Sequence, residues 1–271
     1  MASNATIKNL SNGCYDIKVN SDGVYVTPLL PPTGILFDLP DLKSNDVMEK
    51  IETFWNSEKD YKEGNEYVIG GATFKSGVLL WGPQGSGKSS IIKLASSKLV
   101  KRNGIVFFAD INPAYVMEFL ENFTRIEPDR KCIVILEDLD SLIRNYGDSG
   151  YLEMLDSAKS INNVLFIATT NYPEKLEPRI YCRPGRFAEV IKVDMPTPIA
   201  RKAFLEAILK KHDDVEYIVD HSNGFSIDHL SALVNSVYRQ KKDLKNEIVR
   251  LRSLFKVPKS DGDEPSIGLG S

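Results

Sequence analysis

The sequence contains few cysteines, no long apolar run and no strong excess of charge of one sign. Its three cysteines, Cys14, Cys132 and Cys182, are far apart, so neither a disulfide framework nor a cysteine metal site is predicted. The longest apolar runs, such as 133–136, are far shorter than the roughly 18 residues that suggest a membrane span. No basic segment followed by an apolar one opens the chain, so no signal peptide is predicted. These absences predict a cytoplasmic protein with reduced thiols and no membrane segment.

The composition is that of an ordinary globular protein. Apolar residues make up 42 % of the 271 residues and charged residues 26 %. This length suits one large domain, or a core with a smaller lid. The formal net charge is -3, so no overall basic field attracts nucleic acid or an anionic membrane, and neither partner is indicated.

Short apolar strands alternate with helical segments through the middle of the chain. The apolar pattern predicts strands at 78–81, 105–108, 132–136, 164–169 and 190–193. Helices are predicted between the first three of these strands. This alternation predicts an α/β fold with a mainly parallel five-stranded sheet that is covered by helices on both faces.

The two ends of the chain differ from this central region. A hairpin is predicted within a β-rich N-terminal region, 1–42, which precedes an α/β core at 43–197. Helical patterns predict a small lid at 198–256, and the polar, glycine-rich residues 257–271 are predicted to be disordered. Apolar spacing in the last helix, 242–255, favours packing on its own domain, with a partner-binding seam as the alternative.

A glycine-rich loop follows the first strand of the core. Its residues are Gly82, Pro83, Gln84, Gly85, Ser86, Gly87, Lys88 and Ser89. Glycines allow backbone N–H groups to approach phosphates, and the helix that follows presents its positive N-terminal end to them. In such a loop Lys88 reaches the outer phosphates and the Ser89 hydroxyl ligates Mg²⁺. We therefore predict that the loop and Ser90 bind ATP with Mg²⁺. The alternative, a chance glycine-rich turn, is disfavoured by the strand before it and the helix after it.

Two carboxylates, Glu137 and Asp138, follow the third strand. Carboxyl ends of parallel strands open onto the ligand crevice, where one carboxylate can hold Mg²⁺ and the next can polarise the attacking water. Glu137 stands on the metal side and Asp138 at the water-activating position, and both are candidate metal ligands. Asp138 is one methylene shorter than a glutamate, and a 1 Å misplacement can cost about 10²-fold in rate. Slow hydrolysis is one prediction; an acidic helix cap without catalytic function is the alternative.

Three further side chains complete the predicted site. Asn171 ends the fourth strand, where its carboxamide can orient water beside the γ-phosphate, with a turn-forming asparagine as the alternative. Arg183 and Arg186 flank a Pro-Gly turn, and their guanidinium groups suit a transferring phosphoryl group. We expect both arginines to act across a subunit boundary, with surface salt bridges as the alternative.

Taken in order, these motifs resemble those of the AAA+ ATPase superfamily, and within it the AAA clade. The resemblance assigns Walker A to Gly82–Ser89, Walker B to Ile133–Asp138, sensor 1 to Asn171 and the arginine fingers to Arg183 and Arg186. It thereby implies catalytic roles for Lys88 and Asp138 as well. The strand before the loop, the acidic run and the Thr-Thr-Asn strand end are most similar to the Bcs-type ATPases, translocases of the folded Rieske protein, although no membrane segment is present.

The resemblance implies a P-loop αβα core with a helical lid that hydrolyses ATP to ADP and phosphate. It also implies a homo-oligomeric ring of six subunits, or alternatively seven, that remodels or translocates a protein partner. Aromatic residues after the second strand fit a helix face better than a pore loop, so the segment 144–150 is the better candidate for a pore lining, with a plain surface loop as the alternative. Two other functions stay open: a nucleic-acid-associated ATPase or loader, and a nucleotide-gated scaffold with slow hydrolysis.

Overall fold

The computed structural model describes residues 9–30, 39, 44–64, 73–156, 161–183, 185–210 and 212–254. Its strands are β1 (Gly13–Asn20), β2 (Gly23–Leu29), β3 (Lys75–Trp81), β4 (Ile105–Phe108), β5 (Cys132–Leu136), β6 (Val164–Thr170) and β7 (Glu189–Lys192). The first helices are α1 (Ser44–Asn56), α2 (Glu58–Glu63), α3 (Lys88–Lys101), α4 (Pro113–Ile126), α5 (Leu139–Tyr146) and α6 (Ser149–Asp156). They are followed by α7 (Pro178–Tyr181), α8 (Pro198–Leu209), α9 (Asp214–His221), α10 (Ile227–Val234) and α11 (Leu244–Leu254).

The strands form one seven-stranded sheet in the order β2-β1-β4-β5-β6-β3-β7. The five strands predicted from the sequence lie next to one another in this sheet and are parallel, so the predicted α/β fold is confirmed. The predicted hairpin is present, but it extends this same sheet: β1 pairs in parallel with β4, and β2 pairs antiparallel with β1. Burial explains this placement, because Tyr15 and Ile17 are buried in the core, where the ring of Tyr15 lies 6.3 Å from that of Phe107.

Helices cover both faces of the sheet. Alternate residues of a strand point to opposite faces, and β5 follows this rule with every residue buried. Cys132, Val134 and Leu136 pack in the layer that contains α4, α5 and α6. Ile133 and Ile135 pack in the opposite layer with α1 and α3. Because both layers are apolar, β5 is a continuous hydrophobic run, as expected for a strand inside a parallel sheet.

The helical lid has its own apolar core, formed by α8 to α11. The last of these helices, α11, falls within the predicted range 242–255, and α10 continues into a π-helical turn, Asn235–Arg239. Ile248 and Leu251 are buried in this core, which agrees with the prediction that the last helix packs on its own domain. Buried Arg201 links α9 to the segment that precedes the lid, because its guanidinium donates to the carbonyls of Pro196 and Val219 over 3.0 and 3.1 Å.

The segment 144–150, predicted to be a polar loop, is almost entirely helical. Only Gly147 and Asp148 separate α5 from α6, so the loop prediction is wrong. Glycine favours the helix end here, since Gly147 has a φ of +79° and closes the last turn of α5 with a bond to the Ile143 carbonyl. Residues 257–271, predicted to be disordered, lie outside the described residues. None of the described helices combines the length and the hydrophobicity that crossing a bilayer requires.

Candidate active site

The glycine-rich loop joins β3 to α3 at the carboxyl edge of the sheet. Gly87 is the N-cap of α3, and since it has no side chain, the first N–H groups of this helix are left for another acceptor. Gly85 and Gly87 have φ values of +79° and +107°, a backbone conformation that favours glycine. The lid reaches the same loop, because a Cβ at position 85 would lie 2.9 Å from the Cβ of Ser226. The loop is therefore shaped by backbone and can receive an anion.

Lys88 is buried within the loop, with an exposed fraction of 7 %. Its Nζ donates to the carbonyls of Gly82 and Pro83 over 2.7 and 2.9 Å. Burial lowers the pKa of Lys88 to about 8, and the charge of Asp138 opposes part of this decrease. The ammonium group is thus poorly compensated in the free protein, and a bound polyphosphate would supply the missing negative charge.

Ser89, in the first turn of α3, contacts Glu137, which directly follows β5. The Ser89 hydroxyl donates to Oε1 of Glu137 over 3.2 Å. Adjacent oxygen ligands of an octahedral Mg²⁺ ion, with bonds of about 2.1 Å, lie about 3 Å apart. These two oxygens, a hydroxyl and a carboxylate, therefore have the chemistry and the spacing to hold Mg²⁺, as the sequence predicts for this pair.

Asp138 contacts Asn171. Its Oδ1 accepts a hydrogen bond from Nδ2 of Asn171 over 3.3 Å, and its backbone N–H donates to Oγ1 of Thr169 over 3.1 Å. The backbone of Asp138 is left-handed, with φ and ψ of 49° and 55°, a region that aspartate tolerates better than most residues. The two carboxylates thus make different contacts: Glu137 contacts the predicted metal ligand, and Asp138 contacts the predicted sensor. The prediction that Asp138 also ligates the metal stays untested.

A second hydrogen bond ties the end of β6 to α5. The hydroxyl of Thr170 donates to Oδ1 of Asp140 over 2.7 Å and accepts from the backbone N–H of Tyr172 over 3.0 Å. Thr170 is fully buried, so both bonds form away from bulk water. This arrangement fixes the backbone on both sides of Asn171.

The two predicted arginine fingers have different environments. The side chain of Arg183 is exposed and donates through one nitrogen to Oδ2 of Asp156 over 3.1 Å. Arg186 is buried and donates to both oxygens of the same carboxylate. Arg186 is thus engaged within its own subunit, and the prediction that both arginines act across a subunit boundary stays a prediction. Pro184, which lies between them in sequence, is outside the described residues.

The structure brings together most, but not all, of the predicted residues. Lys88, Ser89, Glu137, Asp138 and Asn171 are linked to the loop or to each other by the contacts above. Gln84 and Ser90 are exposed beside them.

Sequence reasoning missed four residues that position the others: Thr169, Thr170, Asp140 and Asp156. The first three adjoin predicted residues, a signal that could have revealed them. Asp156 has no such signal.

Comparisons with known proteins match the part of the chain that contains these residues. Residues 78–195 match the family described as "ATPase family associated with various cellular activities (AAA)". The chain is 30 % identical over 200 residues to the ATP-dependent zinc metalloprotease FtsH 1 of Sphaerobacter thermophilus, a match covering 64 % of this chain and 30 % of that protein. It is 26 % identical over 227 residues to FtsH 1 of Conexibacter woesei, a match that covers 73 % of this chain and 34 % of that protein.

A third relative, FtsH 2 of Bdellovibrio bacteriovorus, is 27 % identical over 249 residues, covering 81 % of this chain and 40 % of the relative. The chain thus spans about a third of the length of the curated relatives it matches. The matched family includes the loop, both strand ends and the arginine segment. The closer likeness to the Bcs-type ATPases stays a prediction.

Proposed function

The chain contains an ATPase domain of the AAA+ superfamily, and on this premise we propose that it acts in a homo-oligomeric ring, six subunits or alternatively seven. The ring hydrolyses ATP at the carboxyl edge of each sheet and uses the energy to remodel or translocate a protein partner. One arrangement carries the proposal: the Ser89–Glu137 and Asn171–Asp138 hydrogen bonds join the phosphate loop and two strand ends around one site.

The loop and α3 bind the triphosphate. The free N–H groups at the start of α3 and the ammonium of Lys88 face the phosphate oxygens. Ser89 and Glu137 hold Mg²⁺, which when bound neutralises charge on the phosphates. Lys88 exchanges its two carbonyl acceptors for phosphate oxygens, which is favourable because the carbonyls carry no full charge.

Asp138 and Asn171 orient the attacking water. The water oxygen forms a bond to the γ-phosphorus while the bond from that phosphorus to the β–γ bridging oxygen breaks, which yields ADP and phosphate. Asp138 accepts a hydrogen bond from this water, and the Asn171 carboxamide, 3.3 Å from Asp138, limits where the water can lie. Arg183 of an adjacent subunit stabilises the charge of the transferring group, because its side chain is exposed.

Steady-state hydrolysis tests this assignment. Wild-type protein is compared with Lys88→Ala and Asp138→Asn, and nucleotide binding is measured on all three. We expect Lys88→Ala to lose binding, and Asp138→Asn to bind ATP but hydrolyse it at least about 10²-fold more slowly. A wild-type rate of ATP hydrolysis no higher than that of either variant would contradict the proposal that the ring uses ATP hydrolysis to act on a partner.

That outcome would favour a nucleotide-gated scaffold. The order of Glu137 and Asp138 supports this second candidate, since the shorter carboxylate stands at the water-activating position. Such a scaffold would bind ATP with the same affinity as the Asp138→Asn variant. Its assembly state would change when ATP binds, without hydrolysis of the ATP.

The protein partner is tested with the same variant. The relatives' names join ATP dependence to proteolysis, which supports a protein substrate here. Asp138→Asn, loaded with ATP, is expected to retain a partner in a pull-down that the ADP-loaded protein releases. Recovery of the same proteins in both states would contradict ATP-driven remodelling, and stimulation by DNA with a steep salt dependence would favour the nucleic-acid alternative.

A further inference from the structure

Asp156, at the end of α6, receives hydrogen bonds from two arginines that sequence analysis treats as equivalent. Arg186 donates from Nε to Oδ1 over 2.7 Å and from Nη2 to Oδ2 over 2.5 Å. Its remaining terminal nitrogen, Nη1, donates to the carbonyl of Arg179. Among the described residues, the side chain of Arg183 donates from Nη1 alone, over 3.1 Å, to the Oδ2 that Arg186 already uses.

Exposure separates the two arginines further. The side chain of Arg186 is 6 % exposed, whereas that of Arg183 is 64 % exposed. Each of the three nitrogens of the Arg186 guanidinium donates a hydrogen bond within its own subunit, and the buried group is poorly accessible to a phosphate. Arg183 can release its single bond while Asp156 keeps its counter-ion. The hydrogen bonds from Arg186 also hold the pKa of Asp156 below its usual range, so this carboxylate stays charged when Arg183 leaves.

The backbone of Arg186 packs closely against β3, the strand that precedes the phosphate loop. A Cβ at position 77, in β3, would lie 2.2 Å from the Arg186 carbonyl oxygen and 2.9 Å from the ring of Phe187. Glycine is required here because the main chain of the arginine segment occupies the space of a side chain. Side-chain and backbone contacts therefore fix Arg186 to its own subunit at two places.

We propose that Arg186 is a positioning residue, which anchors the arginine segment through Asp156, and that only Arg183 contacts the ATP of an adjacent subunit. This inference rests on the proposed ring function. The anchor fixes the base of the segment, and Asp156 holds the Arg183 guanidinium in the subunit until a neighbour's phosphates compete for it. The two arginines thus share one carboxylate but differ in function.

Single substitutions give the first test, with kcat, KM and melting temperature measured for each. Arg183→Lys is expected to lower kcat by about 10³-fold with an unchanged melting temperature, because an exposed finger contributes to catalysis and not to folding. Arg186→Lys, which keeps the charge but not the paired bonds, is expected to lower the melting temperature and to cost less than about tenfold in kcat. Arg179→Ala, an exposed arginine of the same segment, is the matched control. A kcat loss in Arg186→Lys as large as that in Arg183→Lys, at wild-type melting temperature, would overturn the inference.

Subunit mixing gives the second test and does not depend on the folding of an alanine variant. Lys88→Ala subunits cannot bind ATP but still carry Arg183, whereas Arg183→Lys subunits bind ATP but lack the finger. Mixed together, they are expected to regain hydrolysis that neither shows alone. Any kcat defect of Arg186→Lys is expected to be rescued in the same way, because it acts through Arg183 of the same subunit, whereas the lowered melting temperature of the Arg186→Lys subunit is not.

The outcomes separate the two proposals. Absence of rescue for Arg183→Lys would contradict action across a subunit boundary, and hence the proposed ring. Rescue of Arg183→Lys, together with an Arg186→Lys variant that loses as much kcat as Arg183→Lys at wild-type melting temperature, would leave the ring intact and overturn the positioning function of Arg186.

Discussion

The hydroxyl of Thr170 lies 2.7 Å from Oδ1 of Asp140 and joins the end of β6 to the first turn of α5. The bond connects two elements that each present a candidate catalytic group: Asn171 follows Thr170 directly, and Asp138 precedes α5. Because the same hydroxyl accepts from the N–H of Tyr172, one buried side chain holds both sides of the sensor residue. The separation between Asn171 and Asp138 therefore depends on a buried residue that is not itself one of the predicted catalytic groups.

Thr170→Val tests this dependence, since valine keeps the shape and removes the hydroxyl. We expect kcat to fall by about tenfold or more with KM nearly unchanged, because the bond positions the water and not the nucleotide. The free energy of unfolding should fall by about 1–3 kcal/mol, as the partners lose a bond. Thr170→Ser, which keeps the hydroxyl, should recover most of kcat. A wild-type kcat in Thr170→Val would refute the positioning function.

Glu137→Gln should raise the Mg²⁺ concentration needed for half-maximal hydrolysis by about 10–100-fold. The carboxylate oxygen beside Ser89 loses its charge, while the size of the side chain is kept. A Mg²⁺ titration of hydrolysis at saturating ATP measures this, with Glu153→Gln on the exposed face of α6 as control. An unchanged midpoint would mean that Glu137 is not a metal ligand.

The lowered pKa of Lys88 predicts how the affinity for ATP changes with pH. Its pKa of about 8 in the free protein rises when phosphates bind, so binding above that pH takes up a proton. Affinity should be constant below pH 8 and should fall above it by up to about tenfold per pH unit. Binding is measured by equilibrium titration between about pH 7 and pH 9.5.

Lys93→Met, which removes an exposed lysine of the same helix, should keep this pH profile. Lys88→Met should bind more weakly below pH 8 and show a flat profile. Constant wild-type affinity across the range would show that Lys88 does not titrate there.

Gly77→Ala should destabilise the protein far more than an ordinary strand substitution. Its Cβ would meet the carbonyl of Arg186 at 2.2 Å, and a main-chain atom cannot rotate away. We expect the free energy of unfolding to fall by roughly 2 kcal/mol or more, measured by chemical denaturation. Gly13→Ala in β1 is the control, because its nearest contact would be an ordinary 3.6 Å from the Tyr15 ring. Equal effects of the two substitutions would contradict the close approach.

The core of the fold and half of the site follow from local sequence. Apolar runs determine β3 to β7, and the parallel arrangement places whatever follows these strands at one edge. Glu137 and Asn171 could therefore be predicted together, although they are far apart in the chain. Their contacts depend on the register of β5 and β6, which pairs Leu136 with Ala168, and a one-residue shift would move every side chain to the opposite face.

The remaining features depend on tertiary placement. Nothing in the sequence around Asp156 connects it to Arg186, thirty residues later, because the contact depends on where α6 ends. The two arginines have similar local sequence, and only burial separates them. The sequence predicts a loop between α5 and α6 because Gly147 interrupts the helical pattern, but both flanking segments are helical. The lid helix α9 is a helix that the sequence pattern does not reveal, because its sequence is short and acidic although it buries apolar residues.

The hairpin of β1 and β2 protects the main chain of the sheet. β4 has only four residues, and its outer N–H and C=O groups pair with β1. A chain shortened to begin after the hairpin would present those groups to solvent, where they would accept a strand from another molecule. With the hairpin in place, the outermost strand on this side of the sheet is β2, and Pro28 removes one donor from it. Self-association of a shortened chain would therefore report strand addition at β4, and its assemblies could not be taken as evidence about the ATP-dependent ring.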